Sequence, residues 1–304
     1  MHLLMRGEAD PTEAAGLLMG LRARGETLDE LVGFTRVMRQ YAVHVDLDDP
    51  DAIDLCGTGG DSTGTVNIST GAALVCAGAG VTVAKHGNRS VSSKCGSADV
   101  LEALGVKVEL GKAGVEHCLR EVGIAFLFAP YFHPAMRFVM PVRRGLGVRT
   151  FFNILGPLCN PAGVRRQLVG AFSPTTAQTM ASILAHLDAR HIVAVHAADG
   201  MDEISLSAET DVFEYRAEMD DTVSGGARPH PPQATRIRPE EDWNILDPDT
   251  GEPYTFFPDM VTSGASVGVP GTPATWARAT GSGSSRPAPA PGSTGARSTG
   301  TSGT

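Results

Sequence analysis

A run of glycines ending in an acid, Gly57-Thr58-Gly59-Gly60-Asp61, is followed a few residues later by Asn67-Ile68-Ser69-Thr70. Glycine tolerates positive φ and lets backbone N–H groups approach an anion closely. A helix start just downstream adds unpaired amides and the positive end of a dipole. The hydroxyl and amide side chains of the second run can bind phosphate oxygens or a hydrated Mg²⁺. Taken alone, the glycine run is also an ordinary turn from strand to helix, and Ser69 is also an N-cap. A second polar stretch, Lys85-His86-Gly87-Asn88-Arg89-Ser90-Val91-Ser92-Ser93, sets two fixed cations, a histidine and three hydroxyls around a glycine. Such a loop is costly to bury without a ligand. Lys and Arg supply charge-assisted bonds to phosphate, and the Arg fork can supply two at once. The competing reading is a solvated basic loop. Ser97 opens a helical stretch reaching Gly105, where its hydroxyl either faces the same anion or only caps the helix.

These residues need a frame that brings the polar stretches to one place. Ile53-Asp54-Leu55-Cys56 reads as a short strand running into the glycines. A helix of small residues follows from Thr70 to Ala79, and Val81-Thr82-Val83-Ala84 reads as a second strand ending at Lys85. Strand, loop, helix and strand in that order signal a parallel sheet, whose ligands bind beyond the carboxyl ends of its strands. Further strands are expected at Gln167 to Ala171 and at His191 to His196, the latter leading into Asp199-Gly200-Met201-Asp202-Glu203. Ahead of the sheet, Ala14, Leu17, Leu18 and Leu21, then Leu28, Leu31, Val32, Thr35 and Met38, fall at helical spacing on either side of Gly25. That spacing predicts a helical hairpin or small helical domain between Glu8 and Gln40. From Ser263 to Thr304 the chain is dominated by Gly, Ser, Thr, Ala and Pro with no periodic pattern, and this tail is expected to be disordered.

The 304 residues are enough for one large α/β domain and a smaller one. A formal charge of −9 argues against a sequence-independent grip on nucleic acid, which relies on clustered Lys and Arg. A negative chain that handles a polyanion needs local cationic devices. The five cysteines, Cys56, Cys76, Cys95, Cys118 and Cys159, form no CxxC pair and have no histidine at zinc-ligand spacing, so they read as small buried side chains. No stretch approaches the roughly 18 apolar residues of a membrane span, and the N-terminus lacks a basic region followed by an apolar signal core. A cytoplasmic location is expected, with no membrane or nucleic-acid partner.

The series GTGGD, NIST, KHGNRSVSSKCGSADVLEALG, HPAMR, FFNILGPLCNPAG and DGMDEIS, in that order, resembles the anthranilate phosphoribosyltransferase family over roughly Gly7 to Glu214. The resemblance implies a fold related to the pyrimidine nucleoside phosphorylases. A small N-terminal helical domain, residues 1–47 joined by helices from about 130–150, would sit beside an α/β domain, residues 48–129 and 151–262, with a central, mostly parallel sheet flanked by helices. Residues 263–304 would be the tail. It also implies a homodimer and two Mg²⁺ ions. The substrates would be phosphoribosyl pyrophosphate (PRPP) and anthranilate, joined in a step of tryptophan biosynthesis. The family pattern would place Gly57, Gly60, Asp61, Thr65, Asn67, Ile68, Ser69, Thr70, the stretch from Lys85 to Ser93 and Ser97 around PRPP. Ser69 would ligate one Mg²⁺, and Asp202 and Glu203 the other, with Glu203 reaching both. Without the resemblance the acidic pair reads as surface acids. Anthranilate would meet Gly57, Asn88, Arg143, His133 and Pro157. Arg143 has the fork that suits a carboxylate, but a helix-surface role stays open, as does a choice of Arg144.

On this reading no strong base is needed, because the aromatic amine is neutral and nucleophilic. The hard step is departure of pyrophosphate from ribose C1, with inversion, and His86 is the candidate to take the amine proton late. The chain departs from the family pattern at Cys95, where serine is more usual, and after the acidic pair. There it passes through Trp243 to Met260 into low complexity, where the family continues into strands and helices. That suits a truncated or frame-shifted product. Two other readings therefore stand beside the first: an inactive, non-catalytic relative, and a pyrimidine nucleoside phosphorylase.

Overall fold

A computed structural model describes residues 1–59, 65–90, 95–217 and 229–239. All of these lie in one compact unit, Met1–Ile245. Gly60, Asp61, Val91, Ser92, Ser93, the stretch from Trp243 to Met260 and the low-complexity tail lie outside the described residues. The helices are α1 His2–Arg6, α2 Pro11–Arg24, α3 Leu28–Gln40, α4 Ile68–Gly78, α5 Ser97–Ala103, α6 Lys112–Val122, α7 Ala129–Phe132, α8 Met136–Leu146, α9 Phe152–Leu155 and α10 Pro174–Ala185. The strands are β1 Ile53–Gly57, β2 Val83–Gly87, β3 Ile124–Phe128, β4 Arg166–Gly170, β5 His191–Ala197, β6 Thr210–Arg216 and β7 Gln233–Ile237.

The helical hairpin forms where the spacing puts it, and its ends are chemically marked. Asp10 accepts from the Thr12 amide at 2.7 Å and Pro11 fills the first position of α2, while Thr27 and Glu30 form a capping box at the start of α3. Ala14, Leu18 and Leu21 of α2 and Leu31, Val32, Thr35 and Met38 of α3 are buried. Leu17, expected in the same stripe, is 46% exposed. α8 packs against α1 and α2.

The sheet has seven strands in the order β3-β2-β1-β4-β5-β6-β7; β1 to β5 run parallel, and β6 and β7 are antiparallel to their neighbours. α4 covers the face carrying Leu55 and Val83. On the other face α6 covers Ala84, Ala125 and Leu127, and α10 covers Val169, Ile192 and Ala194. The strand order reverses between β1 and β4, and in open α/β sheets the crevice beyond the carboxyl ends at such a point is where ligands bind.

Two expectations about the elements are corrected. β2 is not Val81 to Ala84 with a polar loop behind it. It runs from Val83 to Gly87, so Lys85, His86 and Gly87 pair with Phe126, Leu127 and Phe128 of β3. Lys85 and His86 are only 3% and 7% exposed. Polar groups of β1 make this burial possible: the Lys85 ammonium donates to the Leu55 carbonyl and the His86 amide donates to Asp54. α4 starts at Ile68 and ends at Gly78, two residues ahead of the expected start. β3, β6 and β7 were not foreseen: β3, Ile124-Ala125-Phe126-Leu127-Phe128, is a short apolar run that periodicity cannot separate from a buried helical segment.

Candidate active site

β1 and β4 end side by side, with the Thr58 amide donating to the Gly170 carbonyl at 2.9 Å. At Gly57 a Cβ would lie 2.7 Å from Asp202 Oδ2, so a side chain there would push the carboxylate aside. Gly59 adopts φ +64°, a left-handed conformation natural to glycine, and its amide donates to Asp202 Oδ2 at 2.8 Å across 143 residues of sequence. In the first turn of α4 the Ser69 amide donates to Glu203 Oε1 at 3.2 Å. The N-cap of α4 is Asn67, so Ser69 sits inside the helix and is not its cap. Asn67 Nδ2 reaches the Cys95 carbonyl at 3.2 Å, tying this turn to the segment ahead of α5. Thr65 is exposed just before the helix, and Thr70 is buried.

Asp202 and Glu203 are thus drawn to the glycine loop and the α4 start. Among the described residues no three His, Cys, Asp or Glu side chains converge as a metal cage. Mg²⁺ requires none, since it takes one or two carboxylates and completes its octahedron with water and phosphate oxygens. Two hard carboxylates, Asp202 on the Gly59 amide and Glu203 on the Ser69 amide, with the Ser69 hydroxyl beside them, fit that ion.

The end of β2 supplies the next wall. Burial pushes the Lys85 ammonium's pKa down, and the nearby Asp54 carboxylate opposes the shift. A Cβ at Gly87 would meet the Ser97 hydroxyl and the Phe126 ring. Asn88 Oδ1 accepts from the Arg89 amide at 2.8 Å, and the Asn88 carbonyl accepts from Ser97 Oγ and the Ala98 amide, each at 3.2 Å. Gly96 is the N-cap of α5. Ser97 therefore braces the loop and does not cap the helix. Asp99 accepts from the amides of Ser90 and Gly96 at 3.1 and 2.7 Å, a support that sequence reasoning missed. Arg89, expected on the donor, has its guanidinium paired with Glu102, 3.6 Å from Asp99 and 3.5 Å from Glu109, and over the Phe128 ring. These acids lie in or beyond α5, so only the fold reveals that Arg89 is engaged.

On the opposite side, the rings of His86 and His133 lie 5.0 Å apart at 54°. Both histidines are buried. Burial, then the neighbouring His133 and Lys85, hold His86 well below the ordinary histidine range, and burial lowers His133 to about 4. Both rings are neutral at neutral pH. The Pro157 carbonyl accepts from Gln167 Nε2 at 3.1 Å and from Cys56 Sγ at 3.9 Å. Arg143, in the last turn of α8, is half-buried and lies 5.4 Å over the Phe152 ring, whereas Arg144 is exposed. The inward-facing arginine of the pair is therefore Arg143. Among the described residues, Thr58 Oγ1, Thr70 Oγ1, His86 Nε2, His133 Nε2, Thr150 Oγ1 and Gln167 Oε1 are buried without a hydrogen-bond partner. Buried polar atoms are nearly always paired; Thr58 follows β1, Thr70 lies in the first turn of α4 and His86 lies near the end of β2, so three of these exceptions border the loops beyond the sheet. Thr58 was not singled out in the sequence, although it stands inside the glycine run.

Residues 1–42 match the "Glycosyl transferase family, helical bundle domain" and residues 49–224 the "Glycosyl transferase family, a/b domain". The chain is 69% identical to the anthranilate phosphoribosyltransferase of Salinibacter ruber, over 71% of this chain and 63% of that relative. It thus spans less than two thirds of the length of that curated relative. Among solved structures it is similar to the anthranilate phosphoribosyltransferase of Thermus thermophilus, with a TM-score of 0.68 and 46% identity over 79% of this chain and 67% of that one. It is also similar to the Saccharomyces cerevisiae enzyme in complex with PRPP and Mg, with a TM-score of 0.66 and 27% identity over 78% of this chain and 62% of that one.

Proposed function

We propose that this chain, which belongs to the anthranilate phosphoribosyltransferase family of glycosyl transferases, transfers the phosphoribosyl group of PRPP to the amine of anthranilate. The products are N-(5-phosphoribosyl)anthranilate and pyrophosphate, in a step of L-tryptophan biosynthesis. The observation that carries this reading is the meeting of an anion-binding glycine loop with a carboxylate pair suited to Mg²⁺, at the Gly59 and Ser69 amides.

In this reading the amides after β1, the run Asn67 to Thr70, the end of β2 and Ser97 hold the donor. Ser69 would hold one Mg²⁺ and Asp202 and Glu203 a second, with Glu203 reaching both, and the metal would supply countercharge to the departing diphosphate. Preorganised amides beside that leaving group act in the same sense, and such electrostatics are usually the largest catalytic term. Gly57, Asn88, Arg143, His133 and Pro157 present anthranilate, with the Arg143 fork on its carboxylate and the amine turned to ribose C1. The amine's lone pair forms the new C–N bond as the C–O bond to pyrophosphate breaks. His86, whose Nε2 is buried without a hydrogen-bond partner among the described residues, is the candidate to accept the amine proton late. The assembly is a homodimer in the cytoplasm, with residues 1–47 and about 130–150 as the helical domain and 48–129 with 151–262 as the α/β domain. Among the described residues no helix is long and apolar enough to cross a membrane.

Anthranilate fluorescence tests the assignment. Its emission falls when protein, PRPP and Mg²⁺ are combined and stays constant if Mg²⁺ is withheld. Constant emission in the complete mixture would instead indicate a phosphorylase or an inert scaffold.

A further inference from the structure

Beneath the crevice lies a charged network that the reaction as described does not use. Asp54, in the middle of β1, is wholly buried, as a carboxylate rarely is. Its Oδ1 accepts from the His86 amide at 3.2 Å, and its Oδ2 from Asn160 Nδ2 at 2.8 Å and Gln167 Nε2 at 3.3 Å. Asn160 Nδ2 also donates to the Ala84 carbonyl at 2.8 Å, and Asn160 Oδ1 accepts from the Ala162 amide at 2.9 Å. Gln167, paired with Asp54 in the sheet register, donates from Nε2 to the Pro157 carbonyl at 3.1 Å. One carboxylate therefore grips the backbone of β2 at His86, where the donor side begins. The same carboxylate grips the two side chains that hold the segment carrying Pro157, on the acceptor side. Burial pushes the Asp54 carboxyl's pKa up, and the nearby Lys85 ammonium and the three N–H donors act against that shift, while Gln167 Oε1 in the same network is buried without a partner among the described residues. A buried carboxylate depends on such donors staying in place, so the arrangement tolerates little displacement.

We propose that Asp54 is a positioning residue for the transfer: through the His86 amide, Asn160 and Gln167 it fixes the spacing between the donor loop and the acceptor wall. The proposal rests on the function proposed above. Asp54 touches neither substrate; it sets how far the amine stands from ribose C1. Displacements of about 1 Å in such a geometry can cost on the order of a hundredfold in rate. A loosened acceptor wall also admits water to C1, so that PRPP is hydrolysed to ribose 5-phosphate and pyrophosphate instead of reacting with the amine.

Asp54→Asn is the informative variant. However its amide is turned, its NH₂ faces a donor, either the His86 amide or the Asn160 and Gln167 side chains. Purified wild type and variant are assayed at a temperature well below both melting points for kcat, for KM of each substrate and for the ratio of PRPP hydrolysis to transfer. Leu184→Ala in α10, a buried core residue outside the hydrogen bonds named above, serves as a control for lost stability. For Asp54→Asn we expect kcat to fall at least roughly tenfold, with both KM values within about threefold of wild type and a raised hydrolysis ratio. For Leu184→Ala we expect a lower melting point with kcat and the ratio unchanged. If Asp54→Asn does not fold, Asn160→Ser, which removes one donor and leaves the carboxylate, is read in the same way. A variant that melts early yet keeps the wild-type kcat and ratio overturns the positioning role while leaving the transferase assignment standing. A wild type that forms no phosphoribosyl anthranilate overturns both.

Discussion

Arg143 and Arg144 show how much one side chain's direction decides. In the sequence they are adjacent and chemically identical; in the fold one is half-buried over Phe152 and the other is exposed. A guanidinium fork on a carboxylate is worth about 1.5 to 3 kcal/mol in a charge-assisted bond. Arg143→Ala is therefore expected to raise KM for anthranilate roughly tenfold or more, with a much smaller change in KM for PRPP, in steady-state assays varying each substrate separately. Equal effects on both would place Arg143 outside the acceptor site. His133 illustrates a second residue-scale effect. Its pKa is pushed down from 6.5 to about 4 by burial, so the unfolded chain takes up a proton at pH values where the folded chain does not. Stability is then fully present above about pH 6.5 and lost as pH falls from there towards 4, by on the order of 3 kcal/mol at most. The check is the urea midpoint measured from neutral to mildly acid pH. His133→Gln should flatten the fall, though not abolish it, since His86 is shifted in the same direction.

At the scale of elements, the site is made by two connections that the sequence separates widely. The segment from β1 to α4 brings the Gly59 and Ser69 amides, and the segment after β5 brings Asp202 and Glu203 to meet them. Asp202→Asn keeps the size and the approach to Gly57 but removes a charge from the pair. The Mg²⁺ concentration for half-maximal activity should rise several-fold, with KM for anthranilate unaffected. A metal titration superimposable on wild type would take the acidic pair out of the metal site. The element boundaries also show where local reading stops. β2 was expected to end before Lys85 because a lysine and a histidine look like loop residues. They belong to the strand because β1 offers the Leu55 carbonyl and the Asp54 carboxylate to receive them.

For the molecule as a whole, the parallel arrangement of β1 to β5 and the reversal of strand order beside β1 set where chemistry can occur. Much of this was legible in one dimension. The glycine run, the α4 start, the strands β1, β4 and β5 and the helices α2 and α3 each carry their own local signal, in backbone freedom, caps or apolar spacing. These features pointed to a parallel sheet with a helical domain ahead of it and to the polar stretches beyond its strands, whereas the acidic pair and the anthranilate-side residues entered through the family resemblance. Other facts depended on distance across the chain. They include Glu102 and Glu109 holding Arg89, Asp99 bracing the loop ahead of α5, and the Thr58 Oγ1 atom buried without a partner among the described residues. The joining of β1, β2, β4 and the Pro157 segment through Asp54 is another. Local propensity and periodicity act over a few residues, whereas burial and hydrogen-bond partners depend on which segments the tertiary structure brings together; only the latter could decide which polar residues face the crevice and which hold it in shape.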